Sequence, residues 1–163
     1  MIRSAVVHER PALPPRTPAT IYLQPGQIVV GEGAHILTIL GSCVAVCLFD
    51  PTCGRGGMNH FLLPRGPRGT DSQRFGEVAL PSLLTQVLSL GATHATLEAK
   101  VFGGARVLAP STARRDLGAE NVDLAIAFLH AEGIAVTARQ TGGTQGRKLI
   151  FQTADGVVWL KTF

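Results

Sequence analysis

The stretch Leu40-Gly41-Ser42-Cys43-Val44-Ala45-Val46-Cys47-Leu48-Phe49-Asp50 decides how the rest of the chain is read. Val44 to Phe49 is a short apolar run stopped by Asp50-Pro51, and His35 to Leu40 is a second such run just before it, so both predict strands. Gly41-Ser42-Cys43 joins them. A sharp turn permitted by Gly41 would expose the Cys43 side chain together with nearby backbone N–H groups, which is how a nucleophile is usually presented.

Working outward, Gln27 to Val30 predicts another strand, and so does Met58 to Leu63. Side chains alternate along a strand, so Met58, His60 and Leu62 share one face and Asn59, Phe61 and Leu63 the other. Arg65 to Gly76 is a loop rich in Gly, Pro and Arg. The next segment is helical: Leu80, Leu83, Leu84, Val87 and Leu88 recur at helical spacing, with Pro81 near the start and Gly91 past the end. A strand follows around Ala95 to Phe102. A second amphipathic helix spans about Glu120 to Ala131, marked by Val122, Ala125, Ile126 and Leu129 and closed by Gly133. Ile134 to Arg139, Lys148 to Thr153 and Val157 to Phe163 complete the chain as strands, with Asp155-Gly156 as a hairpin turn. Strands outnumber helices and no internal repeat is present. The fold class expected is α+β, a layered domain of mixed or antiparallel sheets with two main amphipathic helices packed on them.

The chain has 163 residues, 45% apolar and 16% charged, which suits one packed domain rather than a disordered or coiled-coil chain. Residues 1–20 read as a flexible N-terminal arm, because Pro11, Pro14, Pro15 and Pro18 break any helix there; residues 21–163 are expected to form the single domain. The arm lacks the apolar core of a signal peptide, and no segment approaches the roughly 20 apolar residues of a membrane span. Three cysteines, an odd number clustered between Cys43 and Cys53, do not make a secreted disulfide framework, so a reducing cytoplasm is expected. The formal charge of +4 is modest, there is no basic run, and aromatics are 6%, which argues against nucleic-acid binding.

Chemistry is concentrated around Cys43. A thiol needs a base to react near neutral pH, and the next histidine along the chain is His60, on the next strand unit. Residue type alone leaves this open, since free cysteine is often buried and a strand histidine is often a satisfied core group. Cys47 and Cys53 read as core and turn residues. A zinc site from Cys43, Cys47, Cys53 and His60 has the wrong spacing for short Cys-x-x-Cys knuckles. Gly142-Gly143-Thr144-Gln145-Gly146-Arg147-Lys148 lacks phosphate-loop spacing and reads as a turn between strands. Arg55, Arg65, Arg68 and Arg74 fall in loops beside the candidate site, where they could meet an acidic partner or simply be solvated.

Taken together, residues 40–50 and Gly56-Gly57-Met58-Asn59-His60-Phe61-Leu62-Leu63-Pro64 resemble the two signature blocks of the chemoreceptor glutamine deamidase family, CheD. Glu98 to Ala105, Leu117 to Val122 and Thr141 to Lys148 are similar to its later blocks in the same order. The resemblance implies a Cys-His hydrolase that converts receptor glutamines to glutamate without metal or organic cofactor. It implies Cys43 as nucleophile, His60 as its partner and Thr38 as the third member. It also implies an α+β fold like that of Cys-His toxin deamidases, chemoreceptor cytoplasmic domains as substrate, and a CheC-type phosphatase as a regulatory partner. Gln140-Thr141 departs from the pattern, because relatives often place an acidic residue there. The competing expectation is a non-catalytic adaptor that binds receptors or that phosphatase.

Overall fold

The computed structural model describes residues 18–107 and 115–163. Most of the arm expected for residues 1–20 lies outside the described residues; Thr20 already belongs to the first strand. In chain order the elements are β1 (Thr20–Tyr22), β2 (Ile28–Gly31), β3 (His35–Leu40), β4 (Val44–Asp50), β5 (Arg55–Asn59), α1 (Gly76–Ser89), a 3-10 turn (His94–Thr96), β6 (Glu98–Gly103), α2 (Leu117–Ala131), β7 (Ala135–Thr141), β8 (Arg147–Gln152) and β9 (Val158–Thr162).

These strands form two mixed sheets. One has the order β1-β3-β8-β9 and the other β2-β5-β4-β6-β7; β1/β3 and β6/β7 are parallel and the remaining pairs antiparallel. The architecture is α+β with two helices on mixed sheets, as expected. The reason lies in β4, the middle strand of the larger sheet, all of whose residues are buried. Val44, Val46 and Leu48 face a core shared with Leu80, Leu83 and Val87 of α1 and Ala125 and Leu129 of α2. Ala45, Cys47 and Phe49 face the opposite way, onto Ile36 and Leu40 of β3 and Leu149 and Phe151 of β8. A strand covered on both faces has no polar side to show, which is why residues 44–49 read as an unbroken apolar run. The molecule is therefore three layers deep: small sheet, large sheet, helices. No described helix is long and apolar enough to cross a membrane.

Three elements differ from the sequence expectation. The strand expected at Met58 to Leu63 is β5, shifted back to Arg55–Asn59, and His60 follows its last residue. The two glycines within β5 do not prevent pairing, because Gly56 and Gly57 are buried where backbone and side chains of the flanking strands leave no room for a Cβ. Asn59 then ends the strand by using its side chain on the neighbours: Oδ1 accepts from Val46 N at 2.9 Å and Nδ2 donates to Ala79 O at 3.3 Å. Helix α1 starts at Gly76, so Pro81 stands in its second turn rather than at its start, and the helix forgoes one backbone donor there. Helix α2 starts at Leu117 because Asp116 caps it, its Oδ1 accepting from Ala119 N at 3.0 Å.

Asp50 fixes the far end of β4. It is wholly buried. Its Oδ1 accepts from Thr52 N (2.9 Å), Thr52 Oγ1 (2.6 Å) and Thr96 Oγ1 (2.9 Å), and its Oδ2 accepts from Thr93 N (2.7 Å). Burial by itself would raise the carboxyl pKa, but the hydrogen bonds from Thr52, Thr93 and Thr96 outweigh it and hold the group well below the usual carboxylate range. Asp50→Ala is expected to lower stability by about 2–3 kcal/mol, since it strands several buried donors. The folded pKa is depressed, so this contribution is complete above the unfolded value of about 3.9 and is lost as pH falls below it. Urea unfolding of both proteins should show a constant gap between about pH 5 and 8 that closes only in stronger acid.

Candidate active site

Thr38 and His60 meet where the two sheets pack, and Cys43 lies on the sheet face that His60 shares. The antiparallel register of β4 and β5 continues past β5 through a Val44–Phe61 bridge, so His60 stands opposite Ala45. Cys43 lies on the same face of the large sheet, one diagonal step away, and diagonal neighbours in a regular sheet are about 7–8 Å apart between Cα atoms. That face looks into the core between the sheets. Thr38 reaches it from the other side, because Ile36, Thr38 and Leu40 are the inward residues of β3.

Hydrogen bonding sets the state of the imidazole. Thr38 Oγ1 donates to Leu23 O at 2.8 Å, and the same oxygen is 2.8 Å from His60 Nδ1. A hydroxyl has one proton, and it is committed to the Leu23 carbonyl; Nδ1 must therefore carry the ring proton and donate it to Oγ1. Nε2 is left as the free base, buried and without a hydrogen-bond partner. Burial pushes the His60 pKa down to about 4, with the Leu23 carbonyl opposing this in part. The Cys43 thiol is half-buried, and burial raises its pKa, with its own backbone N–H pulling the other way. Both shifts favour the uncharged forms, thiol and neutral imidazole.

The backbone around Cys43 is shaped by glycines, though not by the one expected. Gly41 has no left-handed conformation, and a Cβ on it would meet only ordinary contact with Val107. The constraint is next door on β6. Gly103 has φ +109, and a Cβ there would lie 2.1 Å from Cys43 O. Its neighbour Gly104 (φ +69) donates its N–H to Cys43 O at 2.9 Å, and Ala105 N donates to Gly41 O at 2.8 Å. Gly118, in the first turn of α2, presses on Gly104 so closely that a Cβ would lie 2.4 Å from Gly104 O. The glycine blocks at 103–104 and 118 therefore allow the helix to approach the turn that carries Cys43. Among the described residues, the N–H groups of Ser42 and Cys43 donate to no carbonyl.

That close approach delivers Asn121, a residue whose role the sequence reading misses. It is wholly buried, and Nδ2 donates to both Ser42 O (3.1 Å) and Leu62 O (2.8 Å). One amide thus ties the turn carrying Cys43 to the segment following His60. The available signal is a single amide within Leu117 to Val122, beside the apolar positions of the helix. Arg147 reads in the sequence only as part of a turn. Its guanidinium is buried, and it donates to Gln140 Oε1 (3.2 Å), Gly142 O (2.7 Å) and Gly103 O (3.4 Å). It braces the Gly142 turn against the strand that cradles Cys43.

A cleft of about 570 Å³ opens beside Cys43, lined among others by Ile39, Ser42, Val107, Leu117 and Phe163. The arginines at its edge are Arg106 and Arg115, not the four singled out in the sequence. Arg55 lies in β5, pairs with Glu32 at 3.8 Å and donates to Leu90 O. Cys47 is wholly buried between the sheets and Cys53 lies in the β4–β5 turn. Burial raises the Cys47 pKa far out of the reactive range, with Lys100 only partly opposing it.

A half-exposed thiol on the same sheet face as a buried imidazole with a free nitrogen, at the mouth of a mostly apolar cleft, supplies the groups that a thiol-dependent hydrolase uses. Residues 62–162 match the family model for CheD chemotactic sensory transduction. The chain is 51% identical over 144 residues to a probable chemoreceptor glutamine deamidase CheD 1 of Anaeromyxobacter dehalogenans, covering 88% of this chain and 84% of that protein. It is 48% identical over 142 residues to a probable chemoreceptor glutamine deamidase CheD of Rhodospirillum rubrum, covering 86% and 81%. A protein of the same name from Trichlorobacter lovleyi is 48% identical over 141 residues, covering 85% and 88%. The chain belongs to the CheD family.

Two outcomes test this geometry. Asn121→Ala leaves the Ser42 and Leu62 carbonyls without their donor and should cost about 2–3 kcal/mol in thermal or urea unfolding; Asn121→Asp, which sets a carboxylate against two carbonyls, should cost more. Alkylation of Cys43 by iodoacetamide, located by peptide mass spectrometry, should be slow at neutral pH and climb only in the alkaline range above about 8.5. A fast plateau between about pH 5 and 8 would instead mean a preformed thiolate and imidazolium.

Proposed function

We propose that this protein hydrolyses glutamine side chains of chemoreceptor cytoplasmic domains to glutamate, with Cys43 as nucleophile, His60 as base and acid and Thr38 as the group that orients His60. The observation that carries the reading is the Thr38–His60 hydrogen bond, which leaves Nε2 unprotonated on the sheet face that also bears Cys43. Membership of the CheD family, with relatives named as glutamine deamidases of chemoreceptors, supplies the substrate class.

The steps follow from the protonation states. A raised thiol pKa and a lowered imidazole pKa make the free ion pair unfavourable, so proton transfer from Sγ to Nε2 accompanies attack on the carboxamide carbon rather than preceding it. The N–H groups of Ser42 and Cys43 donate to no carbonyl among the described residues and are left to serve the developing oxyanion. Collapse of the tetrahedral adduct breaks the C–N bond; the proton on Nε2 goes to the departing nitrogen and ammonia leaves. The thioester is then attacked by water, which gives its proton to Nε2, and the C–S bond breaks to release glutamate and regenerate the thiol. Throughout, Nδ1–H stays on Thr38 Oγ1 and holds the ring in one tautomer. The product carries a new negative charge, a change of the kind that shifts two-state signalling elements. A CheC-type phosphatase as regulatory partner and a cytoplasmic location belong to the same reading, supported by the resemblance of the sequence blocks.

The test is mass spectrometry of a chemoreceptor cytoplasmic fragment after incubation with wild type, Cys43→Ala, His60→Gln and Thr38→Val. Wild type should convert defined glutamines to glutamate. Cys43→Ala should convert none while still binding, His60→Gln should be slower by about 10²–10⁴-fold, and Thr38→Val should fall between. No conversion by wild type across several receptors would turn the reading to a non-catalytic adaptor.

A further inference from the structure

The outward face of the small sheet is covered by no described element, and its composition is unusual. The strand register aligns Tyr22, Leu37, Ile150 and Trp159 in one row that crosses all four strands. The next outward row toward the cleft holds Ile39, Lys148 and Lys161. Beyond it Phe163 packs over Gly146, where a Cβ would lie 2.8 Å from the ring. Trp159 is 62% exposed and Phe163 64%, and Tyr22 and Ile39 are exposed as well.

Three observations say what this face meets. It is continuous with the cleft at Cys43, because Ile39 and Phe163 belong to both. Lys148 and Lys161 stand directly opposite each other, a like-charge cross-strand pair that opposes sheet formation and calls for negative charge from outside. None of the four strands contains Asp or Glu, and the other titratable groups on the outward rows are His35 and the Tyr22 phenol. A second copy of the chain would bring lysine against lysine, so charge selects a different, acidic partner. The apolar row spans about 14 Å across three strand spacings, and about 13 Å separates Trp159 from Phe163 along β9. One α-helix, about 10–12 Å wide with side chains, fits that area.

We propose that this face is an extension of the substrate site, docking an acidic amphipathic helical segment of the protein whose glutamine enters the cleft. This rests on the deamidase reading above. Chemistry would then be set at Cys43 and much of the affinity by a surface two strand rows away.

Trp159 is the single tryptophan of the chain, so the surface carries its own probe. The experiment titrates full-length Cys43→Ala protein with a tryptophan-free chemoreceptor cytoplasmic fragment and follows Trp159 emission. A saturable blue shift is expected, weakened by salt, with Kd raised about tenfold in Tyr22→Ala and in the Lys148→Glu/Lys161→Glu variant. In enzymes with Cys43 intact, the same substitutions should raise KM for the fragment with little change in kcat, and leave turnover of a short peptide bearing the same glutamine unchanged. An unshifted Trp159 spectrum on a fragment that binds, or unaltered Kd and KM in both variants, overturns the proposal. So does a result in which the substitutions abolish only binding to phosphatidylglycerol vesicles, or only a dimer seen in sedimentation. Failure of wild type to convert any glutamine overturns the deamidase reading instead, and the fluorescence titration still decides whether the face docks the fragment.

Discussion

The hydroxyl of Thr38 joins the two sheets chemically as well as sterically, linking the small sheet to the imidazole that follows β5. It lies wholly buried between layers and has one proton to give, which the Leu23 carbonyl takes. What remains on its oxygen is accepting capacity, and that fixes the His60 ring with its proton on Nδ1. An isolated imidazole in so dry a place would be a liability, since burial disfavours its charge and leaves Nε2 without a partner. The packing of one sheet on the other thus also decides which ring nitrogen carries the proton. Apolar neighbours such as Ile36, Leu149 and Met58 keep the layers in contact around this polar link.

Cys43 is held differently, by backbone approach rather than by a side-chain partner. Gly103 and Gly104 let β6 run against the Cys43 peptide, Gly118 lets α2 close on them from the other side, and Asn121 then clamps both segments of the site with one amide. Arg147 reinforces the arrangement from the small sheet by donating only to neutral acceptors. Its guanidinium pKa is lowered by burial, the expected response of a cation withdrawn from water. Fixed through its main chain, Cys43 keeps its side chain free to line the cleft.

Much of this is legible in the sequence because it depends on local pattern. The two apolar runs around Gly41-Ser42-Cys43, both helices and the closing hairpin follow from periodicity and turn residues, and they lie within a few residues of β3, β4, α1, α2, β8 and β9. Features that depend on distant partners are not legible. Strand β5 starts earlier than its pattern suggests because Gly56 and Gly57 argue against a strand until β2 and β4 are seen to enclose them. The conformational burden expected of Gly41 is carried by Gly103, a strand away. Thr38, Cys43 and His60 can be nominated by resemblance, but residue type gives no hint that one hydroxyl dictates the tautomer of the ring. Asn121 and Arg147 sit within recognisable motifs without declaring a role, since an amide and a guanidinium show their importance only through the carbonyls they reach.

Strand β3 has one further consequence, for the order in which the molecule is built. It pairs with β8, so Thr38 lies beside Leu149, more than a hundred positions away along the chain. The large sheet likewise closes only when β6 has paired with both β4 and β7. Contacts so distant along the chain form slowly, and during synthesis they must wait for the late segments to emerge. Thr38, Cys43 and His60 are all made early, but β3 gains its partner in the small sheet only once β8 has emerged. A half-made chain therefore holds all three side chains without the finished layers that press Thr38 onto His60.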